Sequence, residues 1–188
     1  MKKDLGAHPY IFPMPVLMIA TYGEDGTVDV MNMAWGGICD TDKVALNIGE
    51  DHKTSENIKR RRAFTISVAD VEHIREADYF GIVSGNDVPD KFARSGLHAV
   101  KSEKVDAPVV EEFPLTLECE AVEVGESVSG FRVVGRIVGA LADESVLDDE
   151  GRVDPACLNA FIFDQFRGGY YAVGQQVGQA WHTGRELM

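Results

Sequence analysis

Apolar and polar residues alternate along much of the chain, a pattern that predicts β-strands. The runs VLMIATYG and TVDVMNMAW flank a turn that contains Asp-Gly, which is typical of a β-hairpin. The second run ends in a sharp break at Trp35, Gly36 and Gly37. Four more runs predict strands: KVALNIG, AFTISVA, PLTLECEAVEVGE and FRVVGRIVGALADE. The last two are long enough to be paired antiparallel strands.

Helical spacing is confined to short segments between these strands. The run TSENIKRRR contains helix-forming residues and begins with a Thr or Ser suited to the N-cap. A second helical pattern, VEHIREADYFGIVSG, is interrupted by Gly81 and Gly85, and VPDKFARSG predicts one or two turns after Pro89. Six or seven strands, roughly, with two or three short helices and no βαβ rhythm favour an antiparallel barrel.

Composition and charge narrow the class of protein. The 188 residues predict a single domain, 1–188, and the 45% hydrophobic and 26% charged content is that of a globular protein. A net charge of −13 argues against nucleic acid and anionic membrane surfaces as partners. The apolar run from Val16 to Ala20 is too short to span a bilayer, and no signal-peptide pattern precedes it. We therefore expect a cytoplasmic protein.

The common catalytic and metal-binding motifs are missing from the sequence. No GxGxxG follows a strand, and neither GxxxxGK[ST] nor GxSxG occurs. The five histidines lack HxxxH or HxH spacing, so no metal site is expected. The three cysteines form no CxxC pair, as in a reduced cytoplasmic protein, and the glycine of DDEGRVD is misplaced for a calcium loop. These patterns assign no catalytic residue.

One segment does concentrate candidate binding chemistry. Lys53, Thr54 and Ser55 stand where a helix is predicted to begin, and the backbone N–H groups at such a position favour an anion. Alternatively, Thr54 only caps the helix and Lys53 is solvated. On the preceding strand, Asn32 either faces solvent or hydrogen-bonds the polar edge of a ring. Trp35 is either a core residue or the cover of a flat ligand. A phosphate-bearing aromatic ligand would explain both groups.

Four stretches, taken with their order and spacing, resemble the flavin reductase-like, FMN-binding split-barrel family, and most of all its flavoredoxin branch. The stretches are NMAWGGICDTDKVALNI, HKTSENIKRRRAFTISV, ADYFGIVSGNDVPDKF and GGYYAVG. The resemblance covers roughly residues 10 to 178. It implies a mainly β (α+β) fold, a six-stranded antiparallel Greek-key split barrel with short inserted helices. It also implies a homodimer with FMN at or near the subunit interface.

The resemblance further implies four groups of FMN-binding residues. They are a strand end that lines the isoalloxazine (Asn32, Met33, Ala34, Trp35), a phosphate-binding turn (Lys53, Thr54, Ser55), a second flavin-contacting loop (Gly85, Lys91, Phe92) and pocket-closing tail aromatics (Phe163, Tyr170, Tyr171). Lys91, or a backbone N–H near Ala34, is expected to donate toward N1 and the C2 carbonyl of the ring. Phe131 stands where flavoredoxins usually carry a histidine near the flavin, so any polar role of that histidine is lost or moved.

Three functions remain open on this resemblance. The first is an NAD(P)H-dependent flavin reductase, in which NAD(P)H docks transiently over the exposed flavin face because no Rossmann unit is present. The second is a flavoredoxin-type electron carrier that keeps FMN bound and exchanges electrons with a redox protein partner. The third is a non-catalytic split barrel that binds haem or another ligand. The scarcity of histidines near the expected pocket argues against haem.

Overall fold

The computed structural model describes residues 1–127 and 130–188 of the chain. Within these ranges there are twelve strands: β1 (Met14–Pro15), β2 (Leu17–Tyr22), β3 (Val28–Met33), β4 (Gly36–Asp40), β5 (Lys43–Ile48), β6 (Ala63–Val68), β7 (Ala99–Lys101), β8 (Pro108–Val110), β9 (Leu115–Ser127), β10 (Gly130–Ala142), β11 (Phe161–Asp164) and β12 (Gly169–Ala172). The same ranges contain four α-helices: α1 (Lys53–Arg61), α2 (Ile74–Ile82), α3 (Lys91–Ser95) and α4 (Pro155–Leu158). No described helix has the length and apolar character needed to cross a membrane.

The largest sheet is antiparallel and has the strand order β3-β2-β6-β9-β10-β5-β4. It contains the expected hairpin of β2 and β3, and β9 pairs with β10 along nearly its whole length. The expected count of six strands is corrected to seven within the described residues. The added strand is β4. The two glycines after Trp35 were expected to end the extended segment, but they begin a short strand that pairs with β5.

Two smaller sheets complete the β structure of the described residues. Strands β1, β11 and β12 form one of them, in the order β1-β11-β12, and it contains the aromatic run near the C-terminus. Strands β7 and β8 form a short hairpin that sequence reasoning missed. Each of these two strands has only three residues, too few for an alternating pattern to be recognised.

The core lies on both faces of the central strands. In β2, Ile19 joins one apolar cluster with Leu46 and Phe64, whereas Met18 and Ala20 join a second cluster on the opposite face. Successive side chains of a strand point to opposite faces, so a strand covered on both sides is apolar at consecutive positions. This is the physical reason why the run VLMIATYG is continuously apolar.

Helices α1, α2 and α3 all contact strand β3, which is one edge of the main sheet. The N-cap of α1 is His52, and no side chain caps this helix. The expectation of a Thr or Ser N-cap was therefore wrong. Helix α2 follows a 3-10 turn whose first amides are capped by Asp70, which accepts from the His73 N–H at 3.0 Å. The beginning of α1 and the segment between α2 and α3 thus meet beside β3.

Candidate ligand-binding site

Two adjoining cavities, each of about 490 Å³, lie where these helices meet β3. We call the first the α1 cavity, since it is bounded by Lys53, Thr54, the segment 83–87 and Lys91. We call the second the aromatic cavity, since Trp35, Phe163 and Tyr170 line it. The wall common to both consists of Met31, Asn32, His52, Gly81 and Ile82. The two cavities therefore form one elongated cleft with a polar end and an aromatic end.

The beginning of α1 supplies free backbone donors to the polar end. Within the described residues, the N–H groups of Lys53 and Thr54 form no hydrogen bond, as is usual for the first turn of a helix without a side-chain cap. The Lys53 ammonium lies 3.1 Å from the Glu56 carboxylate in a solvent-accessible ion pair. Such a pair contributes about 1 kcal/mol or less and rearranges easily. This end of the cleft is therefore suited to an anion.

The hydroxyl groups of Thr54 and Ser55 are occupied by protein acceptors. Thr54 Oγ1 donates to Asp29 Oδ2 at 2.7 Å, and Ser55 Oγ donates to the carbonyl oxygen of Gly49 at 2.7 Å. Both side chains are buried, and only Thr54 lines the cleft. The structure thus brings Thr54 to the expected place but directs its hydroxyl proton to a carboxylate.

The segment between α2 and α3 closes the polar end from the other side. Lys91 Nζ lies 3.0 Å from Asp29 Oδ1 and donates to the Val83 carbonyl oxygen at 3.3 Å. Gly85 packs so closely on Asp29 that a Cβ atom at this position would overlap the carboxylate. Asn86 Nδ2 donates to a backbone carbonyl just before α1, at 2.7 Å. Lys91 therefore lies at the polar end and is absent from the lining of the aromatic end.

A hydrogen-bond network fixes the aromatic end. Asn32 Nδ2 donates to the Ala77 carbonyl oxygen at 3.0 Å and to Tyr170 Oη at 3.4 Å. Tyr170 in turn donates its hydroxyl proton to Asp78 Oδ1 at 3.0 Å. Burial, together with the bond to Asp78, raises the pKa of Tyr170 to about 12. The phenol therefore stays protonated at neutral pH and holds the Asn32 amide in one orientation.

The remaining sequence-derived site residues fall into two groups. Met33, Ala34, Trp35 and Phe163 line the aromatic cavity, and Gly85 lines the α1 cavity. Four others lie outside the lining of both cavities: Ser55, Phe92, Phe131 and Tyr171. Phe92 stacks on Phe80, and Phe131 is buried in the core with the Lys59 ammonium 4.7 Å from its ring centre. Tyr171 is half-exposed on the other face of β12.

Sequence reasoning missed three groups of the cleft. Asp29 and Asp78 were not singled out, although a charged residue in the otherwise apolar run around Val28 and Val30 was a usable signal. His52 lies in the wall common to both cavities, so the expectation that histidines would be scarce near the pocket does not hold at this position. Within residues 1–127 and 130–188, no group of three His, Cys, Asp or Glu side chains is placed to hold a metal ion.

An antiparallel barrel with inserted helices and an elongated cleft at one sheet edge defines the structural class. A model of the flavin reductase like domain matches residues 10–167, and the chain belongs to the flavin reductase-like family. This finding confirms the resemblance noted in the sequence. Three of the four stretches that carried the resemblance, from the run around Asn32 to the run ending at Phe92, lie within the matched residues, and GGYYAVG follows directly after them.

Solved structures of other proteins share the fold of this chain. The flavoredoxin of Desulfovibrio vulgaris (Miyazaki F) is 37% identical, with a TM-score of 0.93, over 98% of this chain and 100% of that chain. A flavoredoxin from Methanosarcina acetivorans is 26% identical, with a TM-score of 0.91, over 100% of both chains. An FMN-binding protein from Thermus thermophilus, with 19% identity and a TM-score of 0.77 over 95% of this chain and 98% of that one, shares the fold. The split-barrel fold is thereby confirmed.

The Tyr170 network predicts a difference between two adjacent tyrosines. Tyr170→Phe removes the donor to Asp78 and the acceptor for Asn32, so the free energy of unfolding should fall by about 1 kcal/mol in urea denaturation. Tyr171→Phe is the matched control, because this phenol forms no hydrogen bond within the described residues. Its effect should stay within about 0.5 kcal/mol. Equal losses in the two variants would contradict the network.

Proposed function

We propose that the protein is a cytoplasmic flavin reductase-like oxidoreductase that binds FMN in this cleft and passes electrons through it from NAD(P)H. The observation that carries the proposal is the continuity of the cleft. A polar end with a lysine and free backbone N–H groups adjoins an aromatic end through the common wall. FMN has the same sequence of parts, a phosphate, a polyol chain and a flat ring.

The donor set fits FMN at both ends. The free N–H groups of Lys53 and Thr54, with the Lys53 ammonium, can hold a phosphate dianion. The aromatic end offers the Asn32 Oδ1 acceptor to a ring N–H, and the faces of Trp35 and Phe163 to the apolar surface of the ring. The family membership and the FMN-binding protein that shares the fold support the same cofactor.

When bound, FMN supplies the electron-transfer chemistry, and the protein contributes placement and electrostatics. The Asn32 amide is oriented before any ligand arrives, since Ala77 and Tyr170 already hold it. A group fixed in this way needs no reorganisation during the reaction. Trp35 is half-exposed, so the aromatic end remains accessible from solvent for NAD(P)H. We assign no acid or base, because hydride transfer depends on positioning and charge stabilisation.

Lys91 has a different place in this proposal from the one the sequence suggested. It lies with Asp29 in the wall of the polar end, near the proposed phosphate position. The donor toward N1 and the C2 carbonyl is then sought in the backbone near Ala34, because both N–H groups of the Asn32 side chain already donate to Ala77 and Tyr170. In this proposal Ser55 and Phe131 support the site from the buried interior, and the partly buried Phe92 supports it by packing against the second apolar cluster.

A second candidate function is that of an electron carrier, favoured by the 37% identity with a flavoredoxin. In this form FMN stays tightly bound and a redox protein replaces NAD(P)H as the partner. The net charge of −13 would steer a basic partner toward the surface. The two candidates share the cleft and differ in what approaches its aromatic end.

A visible absorption spectrum of the purified protein separates the candidates. With FMN bound, we expect a flavin band that bleaches on anaerobic addition of NADPH or NADH. A band that persists with both nucleotides and bleaches only with dithionite would replace the reductase with the electron carrier. A colourless protein that also fails to bind added FMN would contradict both candidates.

The phosphate position predicts a selective effect of one lysine. Lys53→Ala should weaken FMN binding to the apoprotein by about tenfold or more, since a charge-assisted contact is lost. Riboflavin has no phosphate, and its dissociation constant should stay within about twofold. Fluorescence-quenching titrations measure both values. Lys101→Ala, at an exposed lysine in β7, is the control and should leave FMN binding unchanged. An equal loss for the two flavins would contradict the assignment.

We also propose a homodimer in which a second copy covers the β4 edge. Ile38 in this edge strand is 69% exposed, and Trp181 in the C-terminal tail is 95% exposed. An unpaired edge strand and uncovered apolar side chains favour association. An apolar groove runs along β4 and is lined by Pro13, Pro15 and Ile38. Trp35 and Asn47 line both this groove and the aromatic cavity. A copy bound there would place the cleft near the subunit interface.

The proposed dimer predicts that an interface variant will have half the molecular mass of the parent in solution. The parent should elute at twice the chain mass of 20.6 kDa in size-exclusion chromatography with light scattering. Ile38→Glu places a charge in the proposed interface and should shift the protein to the monomer. Val100→Glu, at an exposed apolar residue of β7, is the control and should remain dimeric. A monomeric parent would overturn the dimer.

A further inference from the structure

Three polar side chains are buried together in the wall of the α1 cavity. Asp29 is 5% exposed, Thr54 1% and Lys91 3%. They belong to separate elements, namely the edge strand β3, the first turn of α1 and the first turn of α3. The Asp29 carboxylate joins them, since Oδ2 accepts from Thr54 at 2.7 Å and Oδ1 lies 3.0 Å from Lys91 Nζ.

Stability alone does not explain such a network. Removing a carboxylate and an ammonium from water costs several kcal/mol per ion, and a well-packed apolar pair at the same place is often as stable. What the ion pair does provide is a fixed geometry, because neither charge can leave its partner without a large penalty. The close contact of Gly85 with Asp29 sets the spacing of the segment between α2 and α3.

The network also limits what Thr54 and Lys91 can do for a ligand. Thr54 has a single hydroxyl proton, and it is donated to Asp29. The hydroxyl therefore has no proton left for a phosphate oxygen. The charge of Lys91 is balanced by the same carboxylate. Thr54 and Lys91, which the sequence analysis assigned to ligand contact, are thus both held by Asp29, which the sequence analysis did not single out.

We propose that Asp29 is a positioning residue for the polar end of the cleft. Through Thr54 it fixes the first turn of α1, where the free N–H groups of Lys53 and Thr54 are, and through Lys91 it fixes the facing segment. Asp29 itself contacts no ligand in this role. The inference rests on the proposed FMN site and names the residue on which phosphate recognition at that site depends.

Asp29→Asn is the first test. An Asn side chain still accepts from Thr54 but cannot balance Lys91, so the spacing of the polar end is released. We expect the dissociation constant for FMN to rise by at least about tenfold, and that for riboflavin to stay within about twofold. A purely structural role would weaken both flavins together or lower only the thermal stability. An unchanged ratio of the two constants, or tighter FMN binding, would overturn the proposal.

Variants of Thr54 keep the test decisive if Asp29→Asn fails to fold. Thr54→Val removes the donor to Asp29 and should weaken FMN selectively, whereas Thr54→Ser keeps the hydroxyl and should restore the parental constant. In a protein that tolerates both changes, Asp29→Ala with Thr54→Val should bind FMN as Asp29→Ala does, because Asp29→Ala already removes the acceptor of the Thr54 hydroxyl. Additive losses would mean that Thr54 contacts the phosphate itself, and would overturn its action through Asp29.

Flavin binding by the unmutated protein distinguishes a failure of this inference from a failure of the proposed function. If the parent binds neither FMN nor riboflavin, the proposed function fails and the role of Asp29 fails with it. If the parent binds FMN more tightly than riboflavin while Asp29→Asn and Thr54→Val keep the parental ratio, the proposed function stands and only the role of Asp29 is overturned.

Discussion

The ion pair of Asp29 and Lys91 is the contact on which the geometry of the cleft depends. Both groups are buried, so an arrangement that separated them would leave an uncompensated charge in the interior at a cost of several kcal/mol. The edge strand β3 and the beginning of α3 must therefore meet at this point. Thr54 adds α1 to the same contact. The free N–H groups of α1 face the cleft because this contact holds the helix there.

Strand β3 connects the two ends of the cleft. Asp29 organises the polar end, and Asn32, three residues further along, organises the aromatic end through Ala77 and Tyr170. At about 3.3 Å per residue, their Cα atoms are roughly 10 Å apart along the strand. One edge strand thus sets the distance between the two ends, and helices packed against it supply the opposite walls. A ligand with a charged end and a flat end would fit along this line.

The sequence predicted the long strands and the position of α1 well, because alternation and helix-forming runs are local signals. It missed β4, since two adjacent glycines usually end a strand, and here the pairing with β5 overrides that preference. It also led to the expectation that Lys91 donates toward the ring, whereas the structure pairs this lysine with Asp29 at the polar end of the cleft. No local pattern indicates that Lys91 pairs with Asp29, 62 positions away in the chain. The choice between Tyr170 and Tyr171 has the same origin, because only the pairing of Tyr170 with Phe163 decides which face turns to the cleft.

The polar end does not distinguish a flavin reductase from an electron carrier, because both need the phosphate held in the same way. The difference must lie at the aromatic end, where Trp35 is half-exposed beside the unpaired edge strand β4. A small donor such as NAD(P)H needs open space over the ring, whereas a protein partner needs only close approach to its edge. Whatever covers the groove along β4 also narrows the aromatic cavity, since Trp35 and Asn47 line both. In the proposed dimer, association of two copies would therefore also affect which electron donor can reach the aromatic end.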